Sequence, residues 1–432
     1  MRRIALVLGF LGLVSCSREP PIPPDIVLIT VDTLRADRLG CYGYFRDTSP
    51  RIDAFAEQSV LFERAIPQCA TTLPSHISLM TSTYLGTHGV RGNLWSFRTK
   101  LETTGPLQTL AERLKALGYD TGGFVSATPV KQATGISVGF DSWSEPDSSE
   151  RRAEETVDLA LEWLAQERAT PFFLWLHLFD PHEPYKPPAP FDSLFATDET
   201  LINHLRENAY THWEDSWIQQ ANGKYDGEVR YMDGQLGRLF DWLETRDAFA
   251  NTACVLTSDH GEGLGPHGRM IHNMLNTEQL HIPLIMRLPG DRIAPQRYSA
   301  PIALVDVVPT LFNACSLPLP SEGIEGQDAF GSRRTYVMSE RTRGARKVSK
   351  GLQFALTGLE WKLIHNTELP DELFHLAEDP LETRNVVETN PDVAEHLLGE
   401  LLLRVPETDA VEITGQLSAE HVEELRTLGY VE

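Results

Sequence analysis

Short apolar runs alternate with amphipathic stretches along most of this 432-residue chain. Runs of strand length lie at residues 26–31, 121–125, 172–177, 253–256 and 282–286, and helical spacing of apolar residues lies at 107–117, 153–166 and 225–243. This alternation favours a mostly parallel sheet, because a crossover between parallel strands usually contains a helix. The chain is therefore predicted to be α/β, with a doubly wound sheet between helices, and its 41% hydrophobic content suffices for a large core.

Two segments depart from this alternation. Residues 186–223 contain prolines and then aromatic and polar residues, which indicates an insertion near the site; its aromatic side chains could stack on a substrate or serve in ordinary packing. After about residue 328, runs at 335–338, 353–356 and 361–364 indicate antiparallel strands, followed by helical spacing at 393–403 and 419–430. We expect a main domain over 25–328 and a small α+β subdomain over 329–432.

Acidic and imidazole side chains follow two of the predicted strands. Asp32 ends the first run, and Asp259 and His260 come shortly after the run at 253–256. Thr72 lies between them in sequence, in a short polar turn that leads into a predicted helix at 75–80. An isolated Asp-His pair is more often a capping acid beside a structural histidine, but its co-occurrence with Asp32 and Thr72 favours a metal-activated nucleophile.

Seven motifs, spread over nearly all of the chain, occur in an order typical of one family. With them the chain resembles the sulfatase family of the alkaline phosphatase superfamily. The resemblance implies an alkaline-phosphatase-like sheet, a small C-terminal subdomain, and a metal-dependent hydrolase or transferase that acts on esters of an oxyanion. The motifs are DTLRADRLGCYG at 32–43, LPS at 73–75, HLFDPHEP at 177–184, TSDHG at 257–261, LGPHG at 264–268, LVDVVPT at 304–310 and ELFHLAEDPLETRN at 372–385.

The chain departs from the family at three positions of the site. The family signature is Cys or Ser, then x-Pro-Ser-Arg, and its first residue is oxidised to formylglycine; here Thr72 holds that position and His76 holds the arginine position. Cys69 lies three residues too early to replace it, and Thr33 stands where the family has a second aspartate. Threonine is not a substrate for that oxidation, so no formylglycine is expected.

The threonine changes the chemistry that the resemblance implies. A formylglycine hydrate releases sulfate by collapsing to an aldehyde, whereas a threonine ester must be attacked at its central atom. Phosphoryl transfer proceeds readily in this way, because metal and donor groups spread charge over the equatorial oxygens. We therefore expect phosphoester or phosphonoester chemistry, and residues 258–272 resemble the pattern of phosphoethanolamine transferases. The alternatives are a sulfatase that works without formylglycine and a noncatalytic relative that binds an anion or glycan.

The resemblance also implies a role for each site residue. Asp32, Asp259, His260 and the Thr72 oxygen would bind one divalent cation, with Thr72 as the nucleophile. The nitrogen ligand and the loss of an aspartate at Thr33 favour Zn²⁺ or Mn²⁺ over the alternative, Ca²⁺. The other predicted catalytic residues are His182 and His272, and the predicted substrate-binding residues are His76, Arg91, Asn93 and His267. Arg91 could instead form a structural ion pair, and Glu262 is at least as compatible with a helix cap as with catalysis.

The N-terminus indicates export. Two arginines precede an apolar stretch at 5–14 that is too short to span a bilayer, and the stretch ends at Leu-Val-Ser-Cys16, which resembles a bacterial lipobox. Residues 1–16 are thus predicted to be a lipoprotein signal whose Cys16 becomes lipidated, with 17–24 as a tether. Ser17 favours the outer membrane, facing the periplasm, in a cell with two membranes. An ordinary secretory leader is the alternative.

Charge and cysteine content limit the partners. The formal net charge is −23, which argues against nucleic acid, although a local basic pocket would still accept an anionic ester. The expected substrates are phospholipids, phosphorylated or sulfated glycans, or small molecules, and the oligomeric state is left open. Besides Cys16, four cysteines lie at scattered spacing, so no disulfide framework is predicted. His177, within a predicted strand, is interpreted as a buried structural histidine rather than a ligand.

Overall fold

A nine-stranded sheet forms the centre of the main domain. The structure is a computed structural model that describes residues 23–93, 100–195, 216–245, 250–290, 293–341, 351–406 and 409. The strands of this sheet are β1 Asp25–Val31, β2 Val60–Ile66, β3 Asp120–Phe124, β4 Ser142–Ser144, β5 Phe172–Leu178, β6 Thr252–Ser258, β7 Ile282–Arg287, β8 Gln296–Tyr298 and β9 Ile302–Ala303.

The sheet is parallel except around β7. Its strand order is β4-β3-β5-β1-β6-β7-β2-β8, and β9 also pairs with β2. Neighbours from β4 to β6 are parallel, and β7 is antiparallel to both β6 and β2. Because β7 reverses the direction twice, β2 runs the same way as β1 and β6. The carboxyl ends of β1, β2, β5 and β6 therefore lie at one edge of the sheet, where doubly wound folds bind ligands.

Helices cover both faces of the sheet. Alternate residues of β1 enter different cores: Ile26 and Leu28 pack with the helices at 72–81, 110–116 and 307–314, whereas Val27 and Ile29 pack with those at 50–57, 153–164 and 216–244. This two-sided burial explains why the central strands are apolar throughout. The helices of the main domain are α1 Pro50–Glu57, α2 Thr72–Thr81, α3 Leu85–His88, α4 Leu110–Ala116, α5 Ala153–Leu164, α6 Phe191–Leu194, α7 Ser216–Glu244, α8 Thr277–Leu280 and α9 Val307–Ala314.

The C-terminal subdomain is an antiparallel sheet with one long helix. Its strands pair in the order β10 Val337–Glu340, β11 Gln353–Thr357, β12 Trp361–Asn366 and β13 Glu372–His375, and α10 is Pro391–Leu402. One face of the sheet packs on α10, and the opposite face packs on the main domain around Ile66, Leu280 and Ala303. The loop after β13 thereby comes close to α8, next to the carboxyl ends of the main strands.

The predicted fold class is confirmed, with changes at several boundaries. The five predicted strands occur within two residues of their expected ends, but the sequence did not predict β2, because Glu63 and Arg64 interrupt its apolar run. The helix predicted at 225–243 begins earlier, at Ser216, so the end of the predicted insertion belongs to α7. The strand predicted at 335–338 is Val337–Glu340.

Some predictions fall outside the described residues. These are the lipobox at Cys16, the tether up to residue 22, most of the predicted insertion including Tyr210 and Trp213, and the closing helix at 419–430. Among the described residues, no helix combines the length and the apolar character required to cross a bilayer.

Candidate metal centre and nucleophile

Parallel pairing of β1 with β6 brings the two predicted aspartates together. Val31 pairs with Ser258 at the last step of the register, so Asp32 and Asp259 both follow directly from aligned strand ends. The backbone N–H of Thr33 donates a hydrogen bond to Oδ1 of Asp259 at 3.2 Å, which closes the gap between the loops. Thr33 has a φ of 56°, a left-handed conformation that a β-branched residue rarely adopts and that this connection holds in place.

Asp32, Asp259 and His260 form a buried group with the geometry of a metal site. Each offers one ligand atom within 4.8 Å of the others, and all three side chains are fully buried. Among the described residues, neither carboxylate oxygen of Asp32 has a hydrogen-bond partner, and neither does Oδ2 of Asp259. Buried carboxylate oxygens without donors are costly unless a cation compensates them, so these residues fit a divalent ion.

The orientation of His260 also fits a metal ligand. Its Nδ1–H donates to the carbonyl of Gly261 at 2.9 Å, which leaves the lone pair of Nε2 free. Nε2 lies 3.3 Å from Oδ2 of Asp259 and 4.0 Å from Oδ1 of Asp32. Burial, followed by the charge of His272, lowers the pKa of His260, which keeps the imidazole neutral as a ligand must be.

The pKa values of the two aspartates shift in opposite directions. Burial and the charge of Asp32 raise the pKa of Asp259 well above its usual range. Burial also acts to raise the pKa of Asp32, but the imidazoles of His177, His182 and His260 outweigh it and lower that pKa. Two buried acids this close cannot both ionise readily without a counter-charge, and a divalent cation would supply one.

Thr72 faces this group from the start of a helix. Its Oγ1 lies 3.5 Å from Nε2 of His260, and the side chain is 1% exposed. The sequence placed Thr72 in a turn before a helix at 75–80; instead Thr72 is the first residue of α2. Ser75, in the first turn of α2, donates to the carbonyl of Asp259 at 2.7 Å, which fixes the start of the helix against the candidate metal ligands. At this end the helix dipole stabilises negative charge on the hydroxyl or on a bound anion.

Two further imidazoles lie at the open side of the site. His272 lies with its ring 4.5 Å from that of His260 and 5.2 Å from that of His182. Nδ1 of His272 is 3.3 Å from Oε1 of Glu262; burial lowers the pKa of His272, but Glu262 outweighs it and raises that pKa. His182 stacks on Phe179, and its Nδ1–H donates to the carbonyl of Glu183 at 2.6 Å. Both rings therefore retain Nε2 for a substrate oxygen.

The four predicted substrate-binding residues differ in where they lie. His76 is fully buried beneath the site, with its ring nitrogens at Thr72 O and Thr30 Oγ1. Burial and then the neighbouring His177 lower its pKa to about 3, so His76 does not replace the positive charge of the family's arginine. Asn93 accepts a hydrogen bond from the backbone N–H of Leu73, next to Thr72.

Arg91 and His267 are held by other side chains. The guanidinium of Arg91 forms ion pairs with Glu340 and Asp409, as the structural alternative expected. Nδ1 of His267 is 3.0 Å from Oε1 of Glu278, and Nε2 is 3.1 Å from the carbonyl of Glu382. The Arg91 guanidinium and both ring nitrogens of His267 thus contact protein groups, so neither side chain is assigned a substrate contact.

Two residues, His177 and Glu262, contact site residues in a way that the sequence did not predict. His177 is fully buried, as expected, but its Nε2 lies 3.8 Å from Oδ2 of Asp32, and its Nδ1 accepts from the backbone of Ser126. Glu262 is held against His272 rather than acting only as a cap. His177 comes near Asp32 because β5 pairs with β1, and Glu262 meets His272 because the loop after β6 folds back on itself. The sequence offered only proximity to a motif as a signal for either residue.

Known proteins share the sequence pattern and the fold of this chain. The sulfatase family model matches residues 24–316. Over 372 residues the chain is 26% identical to an ulvan-active sulfatase from Formosa agariphila, which covers 76% of this chain and 70% of that protein. A phosphonate monoester hydrolase of Agrobacterium radiobacter has the same fold, with a TM-score of 0.70 and 21% identity over 91% of this chain and 96% of that one. A protein solved with its substrate D-glucosamine-2-N,6-O-disulfate has a TM-score of 0.74 and 19% identity over 88% and 98% of the two chains.

Proposed function

Because this chain belongs to the sulfatase family of the alkaline phosphatase superfamily, we propose that it hydrolyses or transfers phosphoesters or phosphonoesters, with Thr72 as the nucleophile. The single observation that carries the proposal is the position of Thr72 Oγ1, 3.5 Å from His260 Nε2 at the start of α2. A hydroxyl occupies the position where the family signature has its oxidised residue. Its attack on phosphorus needs no collapse to an aldehyde.

The proposed first step exchanges one ester for another. The Thr72 hydroxyl first releases its proton to bulk water; its oxygen then forms a bond to phosphorus while the bond from phosphorus to the leaving oxygen breaks. A divalent cation at Asp32, Asp259 and His260 would lower the pKa of that hydroxyl and neutralise charge on the phosphoryl oxygens. His272, whose charged form Glu262 favours, donates the proton that the leaving alkoxide requires.

In the second step an acceptor removes the phosphoryl group from Thr72. Water or an alcohol attacks phosphorus and loses its proton to the neutral His272 while the bond from phosphorus to the Thr72 oxygen breaks. The Thr72 oxygen then takes back a proton from bulk water, so the protons balance over the cycle. His182, whose ring lies 5.2 Å from that of His272, binds a non-bridging oxygen through Nε2. Water as the acceptor gives hydrolysis, and an alcohol gives transfer.

Sulfate esters are the second candidate substrate. The ulvan-active sulfatase and the protein bound to a disulfated glucosamine support it, as the phosphonate monoester hydrolase supports the first. Under this alternative, water rather than Thr72 attacks the sulfur atom. A sulfated glycan, a phosphorylated glycan and a phospholipid are therefore the substrate classes to compare. A noncatalytic relative is disfavoured, because the nucleophile, the metal ligands and the proton donor are present together.

The test compares wild type, Thr72→Ala and Thr72→Ser on an aryl sulfate, a phosphate monoester, a phosphodiester and a phosphonate monoester, each with Zn²⁺, Mn²⁺ or Ca²⁺. We expect phosphorus esters to be turned over, Thr72→Ala to lose at least about 10³-fold in kcat, and Thr72→Ser to retain part of it. Acid quenching should trap phosphate on the peptide that contains residue 72.

Thr71→Ala is the matched control, because Thr71 is the neighbouring buried hydroxyl and contacts Asn273 instead of the metal ligands. It should keep kcat within about threefold. Sulfate turnover that persists in Thr72→Ala, without phosphorus ester turnover in wild type, would reject the phosphothreonine mechanism.

We further propose that the protein is an exported lipoprotein of the bacterial cell envelope, anchored through Cys16. The basic start, the short apolar stretch and the lipobox-like sequence support this location. Labelling cells with a radioactive or clickable fatty acid should modify the wild type and leave Cys16→Ser unlabelled. Equal labelling of both would reject the anchor.

A further inference from the structure

The motif at 372–385 has no part in the chemistry proposed above, yet its loop reaches the site. Glu382, in the turn that follows β13, is 2% exposed and has a φ of 58°. Such a left-handed conformation is unfavourable for a glutamate and persists where surrounding contacts fix it. The contacts that fix this turn are made with residues 276 and 277, at the start of α8.

The carboxylate of Glu382 binds the start of α8. Oε2 accepts hydrogen bonds from Nδ2 of Asn276 at 3.1 Å and from the backbone N–H of Thr277 at 3.0 Å. Oε1 accepts from the hydroxyl of Thr277 and from Nζ of Lys362 at 2.6 Å. Lys362 is 1% exposed, so its charge and that of Glu382 neutralise each other in the interior.

Helix α8 in turn holds the loop at 261–276, which carries His272. Gln279, fully buried in α8, accepts a hydrogen bond from the backbone N–H of Met274 at 2.6 Å and donates to the carbonyl of Ile271 at 3.4 Å. These two residues lie on either side of His272. At the other end of the loop, Gly261 donates to the carbonyl of Gln279 at 2.8 Å.

A second connection runs through His267. This ring bridges Oε1 of Glu278, in α8, and the main-chain carbonyl of Glu382, in the C-terminal subdomain. The turn therefore contacts the loop at His267 and the helix at Asn276 and Thr277. Together these contacts fix both sides of the segment that contains His272.

We propose that Glu382 is a positioning residue, by which the C-terminal subdomain sets the position of His272 at the reacting ester. Glu382 acts through α8 and Gln279 and does not touch the substrate. The inference rests on the proposed role of His272 as proton donor. Misplacing a catalytic group by about 1 Å can cost as much as 10²-fold in rate, so loosening this clamp should reduce kcat more than it weakens substrate binding.

The first test is Glu382→Gln, with Asp306→Asn as the matched control. Asp306 is an equally buried carboxylate that accepts four hydrogen bonds. Two come from the guanidinium of Arg334, and two come from the backbone N–H groups of Ala303 and Gln327. We expect Glu382→Gln to lower kcat about tenfold or more with KM within about twofold, and Asp306→Asn to leave both within about twofold. Asn276→Ala, which leaves no buried charge unpaired, should show a smaller loss of kcat in the same direction.

Hydrogen exchange gives a readout that needs no turnover. Amides at 262–276 should exchange faster in Glu382→Gln than in wild type, and those in Asp306→Asn should not change. Unchanged exchange in this loop would overturn the proposal. This measurement decides the positional claim even if Thr72 proves not to be the nucleophile.

A double-variant comparison tests whether the effect passes through His272. Glu382→Gln should cost little further turnover in a His272→Gln background, because the group it positions is already absent. A full additional loss there would show that Glu382 acts on something else and would overturn the proposal. Any ester that the wild type turns over serves for this comparison, so it is separate from the question of sulfate or phosphate.

Discussion

At the scale of single residues, the charge of the site depends on where this chain departs from the family signature. His76 fills the place of the family's arginine, but it is buried and neutral, with a pKa of about 3. His272 lies beside His260, and Glu262, whose Oε1 is 3.3 Å from Nδ1 of His272, raises the pKa of that imidazole. A carboxylate behind an imidazole thus favours a positive charge that His76 does not supply.

Glu262→Gln should alter the pH dependence of turnover. Burial alone would lower the pKa of His272, and the charge of Glu262 raises it above its usual value. Without that charge the imidazole loses its proton at lower pH. The alkaline limb of the kcat profile should therefore move to lower pH in Glu262→Gln, measured on the best ester of the panel. An unmoved limb would mean that His272 is not the group that titrates.

At the scale of elements, α7 holds the segment after β1 through one buried carboxylate. Asp226, in the middle of α7, accepts from Arg38 at 3.2 Å, from Arg46 at 3.0 Å and from the hydroxyl of Tyr44 at 2.7 Å. Arg38 and Asp226 are fully buried. This network fixes the 33–46 segment, which begins directly after Asp32 of the candidate metal site.

Asp226→Ala should lower the free energy of unfolding by about 3–5 kcal/mol, because it leaves buried guanidinium charge without its carboxylate. Asp241→Ala is the control on the same helix: Asp241 pairs with Arg51, and both side chains are largely exposed. That pair should contribute less than about 1 kcal/mol. If urea unfolding gave the two variants equal losses in the free energy of unfolding, the buried network would not be the source of the stability.

At the scale of the whole molecule, the two domains meet at the site. The C-terminal sheet packs on β2, α8 and β9, and the turn around Glu382 reaches the 261–276 loop. The position of the loop that carries His272 therefore depends on docking of a subdomain that supplies none of the proposed ligands. The same docking should make stability sensitive to pH.

His267 should stabilise this docking in its charged form. Burial acts against the charge, but the hydrogen bond with Glu278 outweighs it and raises the pKa of His267 to about 9. Since the folded pKa exceeds the ordinary value, the contribution is complete below about pH 6.5 and is lost as pH rises through about 9. The free energy of unfolding of wild type should exceed that of His267→Gln by at most about 3 kcal/mol at pH 6, and this difference should vanish above about pH 9. A difference independent of pH in denaturant unfolding would contradict this.

Metal should stabilise the folded protein as a whole. An ion that binds only the native state raises the free energy of unfolding by about 2.7 kcal/mol at 100 times its Kd. Thermal unfolding of metal-free protein should therefore shift upward with Zn²⁺ or Mn²⁺, and less with Ca²⁺. Asp259→Asn should abolish the shift. A larger shift with Ca²⁺ would reverse the expected metal preference.

The sequence by itself determined the alternation of strands and helices, because a strand buried on both faces must be apolar throughout and a covering helix must be amphipathic. It also determined that acidic residues follow β1 and β6, because each acid comes shortly after an apolar run whose end can be read from the sequence. The Thr72 position was readable through its motif. These features are local, and each depends on residues within one segment.

Only the tertiary structure decided which side chains meet. The pairing of β1 with β6 brings Asp32 to Asp259, and a loop that folds back on itself brings Glu262 to His272. The use of His267 as a bridge and the clamp by Glu382 depend on contacts between residues more than 100 positions apart. Sequence spacing contains little information about such distances, because chain reversals in the loops and the docking of a second domain set them.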